Sequence, residues 1–199
     1  MFWLKTIVSL VAMISLTAQA GEMYGVKMDE GMKVGEKALV LNGMALRKVR
    51  KFGIPIKVYI AGLYLEAKTD DSDKILGAPA IKHLEMEFVR TVEKEKITNA
   101  WDEAVFKGCV EDCSNYKGPL KEFNAFMGEM RKGQRISVTF YPDKVEVNQV
   151  GRTPKKGTIE SAAFSKNLLA IFIGPKMFSK EVKESLLGKG EKEDKGDEK

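Results

Sequence analysis

Few side chains in this sequence are equipped for chemistry. There is one histidine, His83, and there are two cysteines, Cys109 and Cys113. A single imidazole excludes most zinc sites and the usual Ser-His-Asp and Cys-His arrangements. No metal and no cofactor are expected. The cysteines read as a local staple, because in an oxidising compartment a close pair usually forms a disulfide. The loop it closes is tiny, so its entropic contribution is small. A redox pair would more typically be C-x-x-C, and a metal site would need further ligands. What remains is a basic run, Arg47, Lys48, Arg50 and Lys51, followed by "IKVYIAGLYLE", residues 56–66. A guanidinium in a dry cleft stabilises a phenolate or carboxylate through charge-assisted hydrogen bonds. The same run also reads as a solvated basic face. In the apolar stretch, Tyr59 and Tyr64 lie five apart, so in a strand their phenols point to opposite faces.

The elements that hold these residues follow from periodicity. "ALVLNGMAL", residues 38–46, carries an Asn-Gly turn signal inside an apolar run and predicts a hairpin or sharp bend. Residues 54–66 read as a strand covered on both faces. Residues 69–80 are a polar loop with one short turn. In "KHLEMEFV", residues 82–89, Leu84, Met86 and Phe88 face one way. His83, Glu85 and Glu87 face the other, which places His83 on the solvent side. Ile97, Ala100, Trp101, Ala104 and Val105 then recur at helical spacing, as do Leu120, Phe123, Phe126, Met127 and Met130. Two strands follow in "RISVTFYP" and "KVEVNQV", joined through Pro142-Asp143. Residues 151–158 read as a turn region. A third helix carries Ala163, Phe164, Leu168, Ile171 and Phe172 and stops at Gly174-Pro175. Ser179 caps a last short helix through Leu187. Paired strands and clustered helices give an α+β class with a largely antiparallel sheet.

The ends of the chain read differently. Lys5, the apolar run of residues 6–18 and Ala18-Gln19-Ala20 have the form of a secretion leader, residues 1–20, cleaved before Gly21. The run is short for a bilayer span, and no comparable run follows. The expectation is a periplasmic or secreted protein with no integral span after cleavage. Residues 21–36 are Gly- and Met-rich without periodicity and read as a loosely ordered N-terminal arm. Residues 189–199 are almost all charge and glycine, a disordered tail. The formal charge of +5 is spread over many lysines and glutamates. No basic stripe is interleaved with aromatics, so nucleic acid is not an expected partner.

Three segments in order resemble a known family. "LNGMALRKVRKFGIPIKVYIAGLYLEAK", residues 41–68, has a glycine-containing turn, an arginine, a spacer and a strand ending G-L-Y-L-E. "EKEKITNAWDEAV" and "GTIESAAFSKNLLAIFIGP" follow at fitting distances. Together they resemble the chalcone isomerase superfamily over residues 37–188, and most of all its secreted bacterial chalcone isomerase-like proteins. The resemblance implies an open-faced β-sandwich, a large sheet with helices layered on one side and a ligand cleft between them.

The resemblance also assigns positions. Arg47 matches the arginine that holds the substrate oxyanion in the plant enzymes. Tyr59 stands where those enzymes place a threonine hydroxyl; its other reading is a core tyrosine. Tyr64 belongs to the strand end and reads as structural. The enzymes' tyrosine position holds Val92 or Glu93, and their asparagine position Asn99 or Ala100, so no tyrosine is available. Ser161 matches the last polar site and also reads as a helix N-cap. Family members without the catalytic set bind fatty acids, with arginine and tyrosine gripping the carboxylate. The implied function is a non-catalytic binder of a fatty acid or similar amphipathic anion, with Arg47, Tyr59, Ser161 and Asn99 as ligand residues. The alternatives are an intramolecular lyase of the chalcone isomerase type on an unknown substrate, or an envelope protein-interaction module whose cleft is filled by side chains.

Overall fold

The structure, a computed structural model, describes residues 21–190; the expected leader and residues 191–199 of the tail lie outside the described residues. The strands are β1 (Gly21–Met23), β2 (Val26–Met28), β3 (Gly31–Val34), β4 (Lys37–Lys51), β5 (Ile54–Leu65), β6 (Lys82–Phe88), β7 (Arg135–Phe140), β8 (Val145–Val150) and β9 (Lys155–Ile159). The helices are α1 (Ser72–Gly77), α2 (Lys94–Gly108), α3 (Lys117–Ala125), α4 (Ala162–Ile173) and α5 (Lys180–Leu186). Strands β3 to β9 form one open seven-stranded sheet in sequence order, every pair antiparallel. Helices cover one face and the β1–β2 hairpin covers part of the other. No helix among the described residues is long and apolar enough to cross a membrane.

Two apolar clusters explain this layering. On the helix side, Ala61, Leu63, Leu84, Met86, Ile136 and Val138 of the sheet pack against Trp101, Val105, Phe123, Leu168 and Phe172. On the other side, Val26 and Met28 of β2 close over Leu39, Leu41, Ile60 and Tyr64. The segment expected to be a loose arm is therefore strand. Each of its short strands packs apolar side chains into the cluster on this second face. Residues 155–159, expected as a turn, pair with β8 as the sheet's last strand.

Asn42-Gly43 is not a turn. It is a bulge within β4, where Leu41 pairs Tyr64 and Gly43 pairs Leu63, leaving Asn42 extra. The Asn42 amide explains this choice: it donates to the Leu186 carbonyl (2.8 Å) and accepts from the Thr69 N–H (2.8 Å). Gly43 lets the end of α5 rest on the strand, since a Cβ there would meet the Ser185 carbonyl oxygen at 2.2 Å.

His83 is also placed otherwise than expected. The alternation is correct, but the second face is not solvent at this point. His83 is 6% exposed, with Nδ1 2.9 Å from the Thr139 hydroxyl and the Tyr64 ring edge-on at 6.1 Å. Burial holds its pKa down at about 4.

Gly43→Ala forces backbone against backbone and is expected to destabilise by about 1–3 kcal/mol in thermal or urea denaturation. Gly118→Ala, with nothing within 4 Å of the new methyl, should leave stability unchanged or slightly raised. For His83, the unfolded chain takes up its proton first as pH falls, so stability is fully present above pH 6.5 and is lost toward pH 4. The loss is on the order of 3 kcal/mol, and denaturation of His83→Leu at the two ends of that window should show it removed.

Candidate functional site

The insertion at Asn42 decides where Arg47 points. Leu41 faces the β1–β2 side; simple alternation would send residues 43, 45 and 47 there too. The extra residue reverses the parity. Ala45 lies in the helix-side core, and Arg47 follows it on the same face, directly opposite Tyr59. A second bulge closes this segment: Arg47 pairs Tyr59 while Lys48 pairs Lys57, leaving Val58 extra on β5. The Val58 carbonyl accepts from the Val89 N–H (3.0 Å), and Val58 and Tyr59 both pack toward the helices. Arg47 and Tyr59 are thus cross-strand partners, side chains adjacent on one face.

The surroundings are aromatic. The Arg47 guanidinium lies over the Phe178 ring, 4.5 Å from its centroid. Phe178 packs on Phe172 (5.1 Å) and Phe172 on Trp101 (5.9 Å). The Tyr59 ring contacts Phe88 at 5.7 Å. Among the described residues Arg47 makes no ion pair, and the Tyr59 hydroxyl makes no hydrogen bond. Two carboxylates lie within electrostatic reach. Glu103 is held below its usual range chiefly by Lys107, and Glu181 chiefly by the Ser179 hydroxyl, each with a smaller contribution from Arg47. Burial pushes the Tyr59 phenol up to about 12 against a smaller opposing pull from Arg47. At neutral pH the phenol keeps its proton and remains a donor. A guanidinium and a phenol, both without a polar partner among the described residues, are two donors that one anion can accept from together.

The other sequence candidates lie elsewhere. Tyr64 is buried on the opposite face, as its spacing implies. Asn99 is exposed: on α2 it stands opposite the face that buries Ile97, Trp101 and Val105, so it does not approach the pair. The Ser161 hydroxyl accepts from the Phe164 N–H (3.2 Å) and caps α4. It follows Ile159, whose row crosses the sheet through Val145, Phe140 and Lys82 to Leu65. That row is six residues along β5 from Tyr59, about 20 Å at strand rise. Val92 bridges to Met130, and Glu93 pairs with Lys96 in solvent. Cys109 and Cys113 form the expected disulfide. Asn167 of α4 pins its loop, accepting from the Val110 and Glu111 N–H groups (2.9 Å each).

Phe178 and Val58 join the site without a sequence signal. Phe178 sits in the irregular link after α4, where no period points to it. A bulge on β5 is invisible until the partner strand is known. A depression of about 320 Å³ between α2 and α3, lined by Asp102, Tyr116 and Lys121 among others, does not border Arg47.

The comparisons with known proteins bear on the family and the fold. A family model described as chalcone isomerase-like matches residues 20–188. Among solved structures, a fatty-acid binding protein of Arabidopsis thaliana superposes with a TM-score of 0.70. It shares 18% identity, over 85% of this chain and 96% of that one. No curated protein sequence matches.

The placement of the hydroxyls is open to a direct check. Ser161→Ala should cost about 1 kcal/mol as a lost N-cap. Tyr59→Phe should leave the melting temperature unchanged, because its hydroxyl makes no hydrogen bond among the described residues. A large loss in Tyr59→Phe would mark that hydroxyl as structural.

Proposed function

The chain belongs to the chalcone isomerase-like family, and we propose that it binds a fatty acid or similar amphipathic anion without turning it over. The observation that carries this reading is the Arg47–Tyr59 pair: two donors, adjacent on the helix-facing side, neither engaged by an acceptor among the described residues. A carboxylate accepts from both. Its bond to the guanidinium is charge-assisted, worth about 1.5–3 kcal/mol. The acyl chain adds about 0.8 kcal/mol for each methylene it buries, and Phe88, Phe172 and Phe178 offer the apolar wall. The Arabidopsis fatty-acid binding protein, alike in fold, supports the ligand class.

The pair grips an anion but supplies little else. Isomerisation needs groups that stabilise charge as it develops along the reaction. Asn99 turns outward, Ser161 caps α4, and the sole histidine lies buried on the sheet's other face. Residues 1–20 and the Cys109–Cys113 disulfide support a periplasmic or secreted setting.

One observation favours a second reading. Phe178 stacks on Arg47 and occupies the space where a head group would approach. Under the binding proposal that ring moves when the anion enters. If it stays, the face is filled and the protein acts as an interaction module of the envelope.

Native mass spectrometry separates these. Protein purified without detergent from its own host's envelope is expected to carry an acyl anion, absent from Arg47→Ala of equal stability. Added oleate should bind Arg47→Ala about 10- to 100-fold more weakly. A clean apo mass and no oleate binding by the parent protein would overturn the proposal.

A further inference from the structure

The far end of the β4–β5 hairpin carries a feature that the ligand pair does not use. β4 stops at Lys51 and β5 starts at Ile54, so Phe52 and Gly53 make the turn, with φ of +51° and +78°. Two successive left-handed residues form the primed turn that suits a two-residue hairpin. Asn-Gly is the economical pair there, because a bulky side chain at positive φ is strained. Phe52 adopts that strained conformation and is nonetheless 93% exposed. Neither turn geometry nor the core accounts for its ring.

Its neighbours share the pattern. Ile54 is 65% exposed and Val49 39%. Around them stand Lys48, Arg50, Lys51 and Lys57, and no acidic residue occurs between Glu36 and Glu66. None of these four cations makes an ion pair among the described residues. Lys51 Nζ lies 5.7 Å from the Phe52 ring centroid, and Lys57 Nζ 3.5 Å from that of Tyr24. An apolar tip ringed by unpaired cations is complementary to an anionic bilayer surface. The ring and aliphatic side chains enter the boundary of head groups and acyl chains, while the ammonium and guanidinium groups stay among the phosphates.

We propose that the β4–β5 hairpin tip docks this protein on an anionic lipid surface, with Phe52 as the inserting side chain and Lys48, Arg50, Lys51 and Lys57 as the phosphate-facing ring. The inference stands on the tip alone and does not require that Arg47 and Tyr59 hold an acyl anion.

The test uses the protein as exported from its full-length sequence, mixed with vesicles of phosphatidylcholine alone or with phosphatidylglycerol added. Co-sedimentation is expected with the anionic vesicles and at least about tenfold weaker with the neutral ones or in high salt. Phe52→Asn suits the turn, so its melting temperature should hold or rise while vesicle affinity falls about tenfold. In Phe52→Trp the introduced indole should shift to the blue on anionic vesicles and be quenched by brominated acyl chains. Undiminished binding by Phe52→Asn, an unshifted indole, or equal affinity for both vesicle types would overturn the proposal. So would a dimer in solution that Phe52→Asn dissolves without any vesicle binding by the parent, since the tip's occupant would then be a second copy.

Discussion

The structure turns on the pairing of β4 with β5 and on the two insertions that interrupt it. Asn42 adds a residue to β4 and Val58 adds one to β5. The insertions sit on opposite strands, so they cancel: the register beyond the second matches the register before the first. Between them a short run is shifted by one, and a shift of one exchanges the faces. This is why Arg47 looks toward the helices. Without the insertions Arg47 would stand opposite Val58, and the cation would lie against the β1–β2 side. The Asn42 amide fixes the first insertion by tying α5 and the chain after β5 to the strand, so the end of the fold helps to aim a residue near its beginning.

The same pairing separates two environments. On the helix side an aromatic chain runs from Phe178 through Phe172, Trp101 and Phe123 to Phe164. On the other side Tyr64, His83 and Thr139 sit beneath a thinner cover. The two tyrosines of one strand therefore meet different demands. Tyr64 fills a core under the β1–β2 hairpin. Tyr59 stands at the edge of the helix-side core beside Arg47, and among the described residues neither its hydroxyl nor the cation finds an acceptor. Burial pushes both phenols above their ordinary pKa. Only Tyr59 stands directly opposite an arginine.

Function follows from what this arrangement holds back as well as from what it offers. An arginine and a phenol without acceptors among the described residues leave hydrogen-bonding capacity for a ligand. The other hydroxyl and amide candidates lie elsewhere: Ser161 caps α4, and Asn99 faces solvent. The hairpin that carries the pair extends past it to a basic and apolar tip. Ligand pair and lipid-facing tip would then be two stations on one rigid pair of strands.

The sequence by itself determined the periodic parts. Alternation placed Leu84, Met86 and Phe88 on the core face, helical spacing placed Ile97, Trp101 and Val105, and Ser161 and Ser179 marked the starts of α4 and α5. The opposite facing of Tyr59 and Tyr64 follows from a five-residue separation, and the family resemblance singled out Arg47. These signals are local, carried by neighbours a turn or a pleat away. Only the tertiary structure decided the rest. Asn42-Gly43 is a bulge because Thr69 and Leu186 engage its amide, and His83 is buried because Tyr64 and Thr139 close around it. Residues 21–36 are strands because the sheet offers them an apolar face, and Phe178 reaches Arg47 through a link with no period. Each depends on a partner distant in the chain, and a pattern within one segment does not encode what will come to lie against it.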